Sequence, residues 1–299
     1  MDELLSNFTS DKVALLIDAL QLGEEIGESD IKKFVEALIK GNGGNPESQF
    51  GRGLSNSFSQ GVLREDKKVS RHFFESRLRD YFPYINLAVK NTFIYPILYK
   101  SVDMVIPKLI GLRENGIMTR EITTILTLGN SKMQEKREMN ILYTTGESGA
   151  SFNRLSHSVI GYPSPTVLLI YHTYEVKGER KYGIFGGYTG TEWDDKLGYS
   201  GNADSYIFQL IPEMNFMYTS GGKGGTSYNY LNSRKIQNSS YKSGMGFGGE
   251  AYDNYRLWID EDIFTGSYVQ PFDSTYKSGS LIDQSIRKLN VTLIFGGSH

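Results

Sequence analysis

The sequence predicts an α+β protein in which an all-helical N-terminal region precedes an antiparallel β-sandwich. Three observations predict it. Apolar residues recur at helical spacing up to about residue 131, and from about Lys132 they give way to short runs rich in Val, Ile, Tyr and Phe. Those runs follow one another with almost no helix between them, which is the pattern of an antiparallel rather than a parallel sheet. Most of the 33 glycines fall in the second half, where turns, bulges and close backbone approaches need them.

Val13, Leu16, Ile17 and Leu20 follow a Thr9/Ser10 cap, and Ile31, Phe34, Val35, Leu38 and Ile39 follow Ser29 and stop at Gly41. This spacing predicts two short helices over residues 1–40. The outline resembles a degenerate EF-hand, but the connecting LGEEIGES lacks the spaced oxygen ligands of a calcium loop. Residues 41–61, GNGGNPESQFGRGLSNSFSQG, are rich in Gly, Ser, Asn and Gln and read as a flexible linker. A helical region over 62–131 follows. Val69, Phe73, Leu78 and Tyr81 mark one helix, Pro83 and Pro96 punctuate the next, and REITTILTL is a third.

Within residues 132–299, SFNRLSHSVIG predicts one more helix, capped by Ser151 or Ser148 and stopped by Gly161. Strands are then expected over 167–174, 182–188, 205–211, 215–219, 228–231, 255–260 and 289–295. Gly244, Gly246 and Gly249 spell G-x-G-x-x-G. A dinucleotide loop needs an apolar strand before it and a helix after it. Here the polar NSRKIQNSSYKS enters and the strand-like YRLWI leaves, so these glycines are read as turn and bulge residues.

With 299 residues, 39% of them hydrophobic, the chain can bury a substantial core. A formal net charge of −2 gives no basic field for nucleic acid. The absence of cysteine excludes disulfides, a thiol nucleophile and Cys-ligated zinc. MDELLSNFTS carries acids where a secretory signal would carry positive charge, so a cytosolic chain is expected, with the sequons at Asn7, Asn238 and Asn290 unmodified. The apolar stretch 93–112 is interrupted by Pro96, Lys100, Asp103, Pro107 and Lys108, too often for a spanning helix.

No catalytic, metal or cofactor constellation emerges. His72, His157, His172 and His299 lack zinc-ligand spacing, and Ser148 in GESGA reads as a cap rather than a nucleophile. Asp260, Glu261 and Asp262 read as a solvated strand end, with a partner contact as the runner-up, and Lys223 in SGGKGGTS reads as a hairpin tip. Trp193 and Trp258, each within apolar segments, are expected in the core, with an exposed interface anchor as the alternative.

From Asn140 to Leu281 the motifs NILYTTGESGASFNRL, PTVLLIYHTY, YGIFGGYTGTEW, GNADSYIFQL, YNYLNS, GMGFGGEAYDNYRLWIDEDIFTGS and FDSTYKSGSL occur in an order and spacing that resembles the TLDc domain family. The resemblance implies a central β-sandwich flanked by helices, with Phe185, Gly186, Trp193, Gly201, Phe208, Gly248, Gly249 and Trp258 as structural residues. It also implies a non-enzymatic cytosolic protein with no cofactor. Such a protein would bind the soluble catalytic sector of the V-ATPase, regulate its activity or assembly, and reach lysosomal or vacuolar membranes through that partner. A link to oxidative-stress resistance belongs to the same implication. Asp260, Glu261, Asp262 and Lys223 are then the candidate partner contacts. The alternatives are a lysosomal growth-signalling scaffold, which the N-terminal helices favour, and a redox-protective enzyme. LNVTLIF stands where the family commonly has Leu-Glu-Val-Trp, and the chain stops at His299 with no C-terminal helix, so an assembly regulator or a passive binder is expected rather than a rotor block.

Overall fold

The computed structural model describes residues 12–89, 106–111, 116–221, 224–235, 241–250, 252–279, 281 and 291–298. The chain divides into two compact units, Met1–Lys108 with Thr119–Arg137, and Leu109–Met118 with Glu138–His299. The Thr9/Ser10 cap, Asn7, Asn238, Asn290, His299, Lys223 and most of the 93–112 stretch lie outside the described residues.

The first unit is built from two helix-loop-helix pieces. Helices α1 (Lys12–Ala19) and α2 (Glu28–Gly41) flank strand β1 (Glu25–Gly27), and α3 (Gln49–Leu63) and α4 (Arg71–Tyr81) flank β2 (Lys68–Ser70). The two strands pair antiparallel with Ile26 opposite Val69. The pieces superimpose in sequence at a constant offset: 69 − 26, 70 − 27 and 64 − 21 all equal 43, linking the paired residues, the helix caps Gly27 and Ser70, and the left-handed residues Gln21 (φ 56°) and Arg64 (φ 53°). Drawing Gly27 into the β pair also starts α2 ahead of Ser29, and the Gly27 N–H donates to Asp30 Oδ2 at 3.0 Å. Arg71 ties the two pieces, with Nη1 2.7 Å from Asp18 and Nε 3.0 Å from Glu75.

The segment read as a flexible linker is a helix over most of its length, and this is a correction. The composition of α3 is poor for a helix, yet Leu54, Phe58 and Val62 stand at i, i+4 and i+8, and all three are buried. Ser48 caps it, accepting the Gly51 N–H at 2.9 Å. Its small residues are packing devices: a Cβ at Gly51 would lie 2.5 Å from the carbonyl oxygens of Asn45 and Pro46. Phe58 packs edge-on to Tyr81 at 5.5 Å and stacks on Phe82 at 5.4 Å, and the Tyr81 hydroxyl donates to the Gly61 carbonyl. Two shorter helices follow, α5 (Ile85–Val89) and, after Thr119, α6 (Arg120–Leu128), then the single turn α7 (Ser131–Gln134). Arg120 donates to the Asn42 and Pro107 carbonyls at 2.7 and 2.8 Å.

The second unit holds two sheets. The larger runs in the order β3 (Lys108–Ile110), β4 (Glu138–Thr144), β14 (Val291–Ser298), β5 (Thr166–Val176), β6 (Glu179–Thr189), β8 (Tyr206–Ile211), β9 (Asn215–Tyr218). The smaller runs β13 (Tyr268–Val269), β12 (Leu257–Asp260), β11 (Gly244–Phe247), β10 (Asn229–Asn232), β7 (Tyr199–Ser200). Helices α8 (Thr145–Ser148) and α9 (Phe152–Val159) connect β4 to β5, and Ser151 rather than Ser148 caps α9. Leu168, Ile170, Phe185 and Ile207 from one sheet share a core with Leu231, Met245, Phe247, Leu257 and Ile259 from the other. Gly187 makes that approach possible, because its own Cβ would lie 2.6 Å from the Phe247 ring. The C-terminal strand β14 is central, paired with both β4 and β5. The architecture is thus α+β with N-terminal helices.

Because Phe58 is fully buried and shares two ring contacts, Phe58→Ala is expected to destabilise the first unit by about 3–5 kcal/mol. Calorimetry of the full chain checks this: a lowered first transition is expected, whereas a true linker position would leave both transitions unmoved.

Candidate functional site

The stretch GMGF is itself a strand, which corrects its reading as turn and bulge. Across the smaller sheet Tyr199, Tyr230, Gly246, Trp258 and Tyr268 lie in one register row, and Asn232, Gly244 and Asp260 in the next. Alternation sends Met245 and Phe247 into the shared core and leaves Gly244 and Gly246 on the outer face. There the Trp258 indole lies flat over them: a Cβ at Gly244 would lie 2.3 Å from Trp258 Cζ2, and one at Gly246 would lie 2.9 Å from Cε3. Glycine is required at both positions because an indole occupies the space a side chain would take.

An aromatic cluster grows on this floor. Tyr255 stacks on Trp258 at 4.3 Å, Tyr230 approaches both, and Tyr199, Tyr241, Tyr252 and Tyr268 close around them half-buried. Burial pushes the Tyr230 and Tyr268 phenols up to about 12, and Tyr255 higher still. Trp258 is 1% exposed and Trp193 3%, so both belong to the core rather than to an exposed anchor. The Trp193 indole donates to Thr166 Oγ1 at 2.8 Å and meets Phe247 edge-on at 5.5 Å.

The acidic run proves to be locally engaged. Asp260 Oδ2 accepts the Trp258 indole N–H at 3.1 Å and Oδ1 accepts the Asp262 N–H at 3.0 Å, so this carboxylate positions the indole and starts the following turn. Asp262, exposed, accepts the Thr265 hydroxyl at 2.6 Å, which holds its carboxyl below the usual range. Glu261 pairs with Lys235 at 2.7 Å and raises that ammonium. Glu261, Asp262 and Lys235 face Ser151 and Asn153 at the start of α9 across a cleft of 710 Å³ that Ser233 also lines.

Next to strand β12 lies a buried ion pair that the sequence pattern does not predict. Arg256 Nη1 stands 3.0 Å from Asp273 Oδ1, with both side chains essentially inaccessible. Nη2 also donates to the carbonyl of Gly279 and approaches Met217 Sδ at 3.3 Å, and Asp273 Oδ2 accepts the Thr275 N–H at 2.9 Å. Burial pushes the Arg256 guanidinium down and the Asp273 carboxyl up. The sequence signal was a charge inside YRLWI, next to residues that alternate across a sheet.

The family-motif residues are scattered through the sandwich rather than gathered in one site. Phe185 and Phe208 are core, and a Cβ at Gly186 would lie 1.9 Å from the Leu168 carbonyl oxygen. Gly201 (φ 90°), Gly248 (φ 71°) and Gly249 (φ 102°) are left-handed, and Gly248 abuts Arg256 and Asp273. His72 and His157 are exposed, and His172 is buried beside Tyr174. Among the described residues no group of three or more His, Asp or Glu is arranged to hold a metal ion, and no helix is long and apolar enough to cross a membrane.

The fold and this face define a two-sheet β domain organised around a glycine-alternating strand and its aromatic cover. A profile of the TLDc domain matches residues 112–292, more than half of the sequence, and the chain belongs to the TLDc domain family. It is similar to "MTOR-associated protein MEAK7" of Danio rerio, 31% identical over 157 residues, which are 52% of this chain and 32% of that protein. It is similar also to the protein of that name from Xenopus laevis, 24% identical over 185 residues, 61% of this chain and 37% of that one. The chain therefore spans about a third of the length of these curated relatives.

Two outcomes are expected at this face. Gly246→Ala should destabilise the second unit by about 1–3 kcal/mol, the cost of forcing atoms into a filled space, as measured by denaturant unfolding against Gly146→Ala, where the added Cβ comes no nearer than 3.7 Å to its neighbours. Alkaline unfolding should reflect the phenols. Neutral Tyr230 and Tyr268 stabilise the fold fully below the unfolded phenol value of about 10, and that stabilisation is lost as pH rises through about 12. Tyr268→Phe is expected to move the alkaline transition, followed by circular dichroism and tyrosinate absorbance, to higher pH.

Proposed function

We propose that the chain is a non-enzymatic, partner-binding TLDc protein that docks on the soluble catalytic sector of the V-ATPase and regulates its activity or assembly, in line with a role in oxidative-stress resistance. The observation that carries the reading is membership of the TLDc family over residues 112–292. The fate of one acidic side chain supports its non-enzymatic part: the Asp260 carboxylate is committed to Trp258 and Asp262. Recruitment to acidic-organelle membranes then comes through the partner.

A second reading, a growth-signalling scaffold, is favoured by the printed description of both relatives as mTOR-associated. Their greater length makes that property of theirs a proposal for this chain.

On the first reading the partner contact is Glu261, Asp262 and Lys235 at the rim of the cleft, and Lys223, outside the described residues, is a separate candidate. Asp260 is a poor site for a binding test, because its reversal would release the Trp258 indole. In affinity capture of V-ATPase subunits, wild type is expected to retain the soluble sector. Glu261→Lys with Asp262→Lys should slow association about 2- to 10-fold at low ionic strength and much less at high salt, as rim charges do. Capture of mTOR without any V-ATPase subunit would favour the second reading and end the first, and a robust peroxidase turnover abolished by His157→Ala would end both.

A further inference from the structure

We propose that the outer face of the smaller sheet, centred on Tyr252, is a docking surface for an extended partner segment that presents arginine side chains. The inference deepens the partner-binding reading and rests on it, while naming a different surface from the cleft rim.

Tyr252 carries the argument. It holds a left-handed backbone (φ 64°), a conformation that is uncommon and costly for a bulky aromatic residue. The strain is imposed by a tight reversal in which Glu250 and Asp253 exchange both backbone hydrogen bonds at 2.9 Å. Its result is that the Tyr252 ring lies half-buried on the sheet face, stacked on Tyr199 at 5.0 Å and against Tyr241 at 4.8 Å, with its N–H donated to the Tyr199 hydroxyl at 3.1 Å. Trp258 is covered by the fully buried Tyr230 and Tyr255, and the half-buried Tyr252 forms the outer layer of the same cluster.

The rim of this face is acidic. Glu250 and Asp253 are exposed at the reversal that carries Tyr252. Burial raises the Tyr268 phenol, and the Asp253 and Asp260 carboxylates add to the rise, which brings both near the aromatic row. The molecule already binds one cation here, as the Lys242 ammonium stands on Asp253. Aromatic faces bordered by carboxylates attract cations through the ring quadrupole and the charge together. The guanidinium group fits better than an ammonium, because it is planar, stacks on rings and is more weakly hydrated. The rings of Tyr241, Tyr252 and Tyr199 follow one another at 4.8 and 5.0 Å, a row no longer than about three residues of an extended segment.

The test uses the full chain and a blocked peptide of alternating arginine and glycine, with matched citrulline and lysine peptides, followed by calorimetry and by amide chemical shifts. The arginine peptide is expected to bind saturably, the lysine peptide more weakly and the citrulline peptide not measurably. Tyr252→Ala should weaken the arginine peptide about 2- to 30-fold, and Glu250→Gln with Asp253→Asn should weaken it further and flatten its salt dependence. Tyr252→Asn, which tolerates the left-handed backbone, serves if the alanine variant melts early. Equal binding of the citrulline peptide, no saturable binding of the arginine peptide, or unchanged affinity in a well-folded Tyr252 variant would overturn the proposal. Peptide binding without V-ATPase capture would leave this inference standing and remove the V-ATPase reading, and capture without peptide binding would do the reverse.

Discussion

The second unit depends on a single steric condition: no side chain can stand at Gly244 or Gly246. Because both positions are bare, the Trp258 indole lies flat on strand β11 instead of projecting from the sheet. Once flat, it offers a face to Tyr255 and its edge N–H to Asp260. That hydrogen bond fixes a carboxylate whose other oxygen accepts the Asp262 N–H. The turn so begun brings Tyr268 back opposite Trp258. The glycine pair therefore determines the aromatic cover, the acidic turn and the edge strand in sequence, and a phosphate-loop pattern in the letters is a by-product of alternation along a strand.

The Arg256–Asp273 pair answers a different problem, holding the segment 270–279 in place beside its one core residue, Tyr276. Burying two charges is costly, and the attraction between them offsets that cost only when the remaining donors and acceptors are also met. Here Asp273 accepts two backbone N–H groups, from Thr275 and Tyr276, and Arg256 reaches the carbonyls of Lys277 and Gly279. The pair thus converts charge into backbone anchoring, and its value lies in fixing one path for the chain. Gly248, left-handed and lacking a Cβ that would lie 2.6 Å from Asp273, is the corner that lets the two residues meet.

What could be read in advance follows from which physics each element uses. Strands β5, β6, β8, β9 and β12 were legible because each is a short run dense in Val, Ile, Leu, Tyr, Phe or Trp. Helices α2 and α6 were legible because their apolar stripes are dense. Helix α3 was not, since Leu54, Phe58 and Val62 sit among Ser, Gly, Asn and Gln, and composition outweighed spacing in the reading. Strand β11 was missed for the same reason: its outward residues are glycine, and the partner ring that explains them lies on a neighbouring strand. The 43-residue repeat of the first unit is written as matching apolar positions rather than identical residues: Ile26 and Val69, Ile31 and Phe74, Val35 and Leu78, and Leu38 and Tyr81 are all buried. At the candidate site, the position of Asp260 to Asp262 was legible but not their division of labour, which is set by hydrogen bonds across a turn.

That division bears on how the family's function could be carried by such a domain. Residues that look like one acidic patch are held to different degrees: Asp260 by two hydrogen bonds within the fold, Asp262 by a turn, and Glu261 only by an exposed lysine. Exposed pairs of the last kind are weak, so a docking partner could exchange Lys235 for its own cation at little cost, whereas displacing Asp260 would unseat the indole. A surface built this way keeps its interchangeable charges at the rim and its committed ones beneath. Partner recognition can then vary through residues such as Glu261 and Lys235 while the glycine strand and its aromatic cover stay fixed.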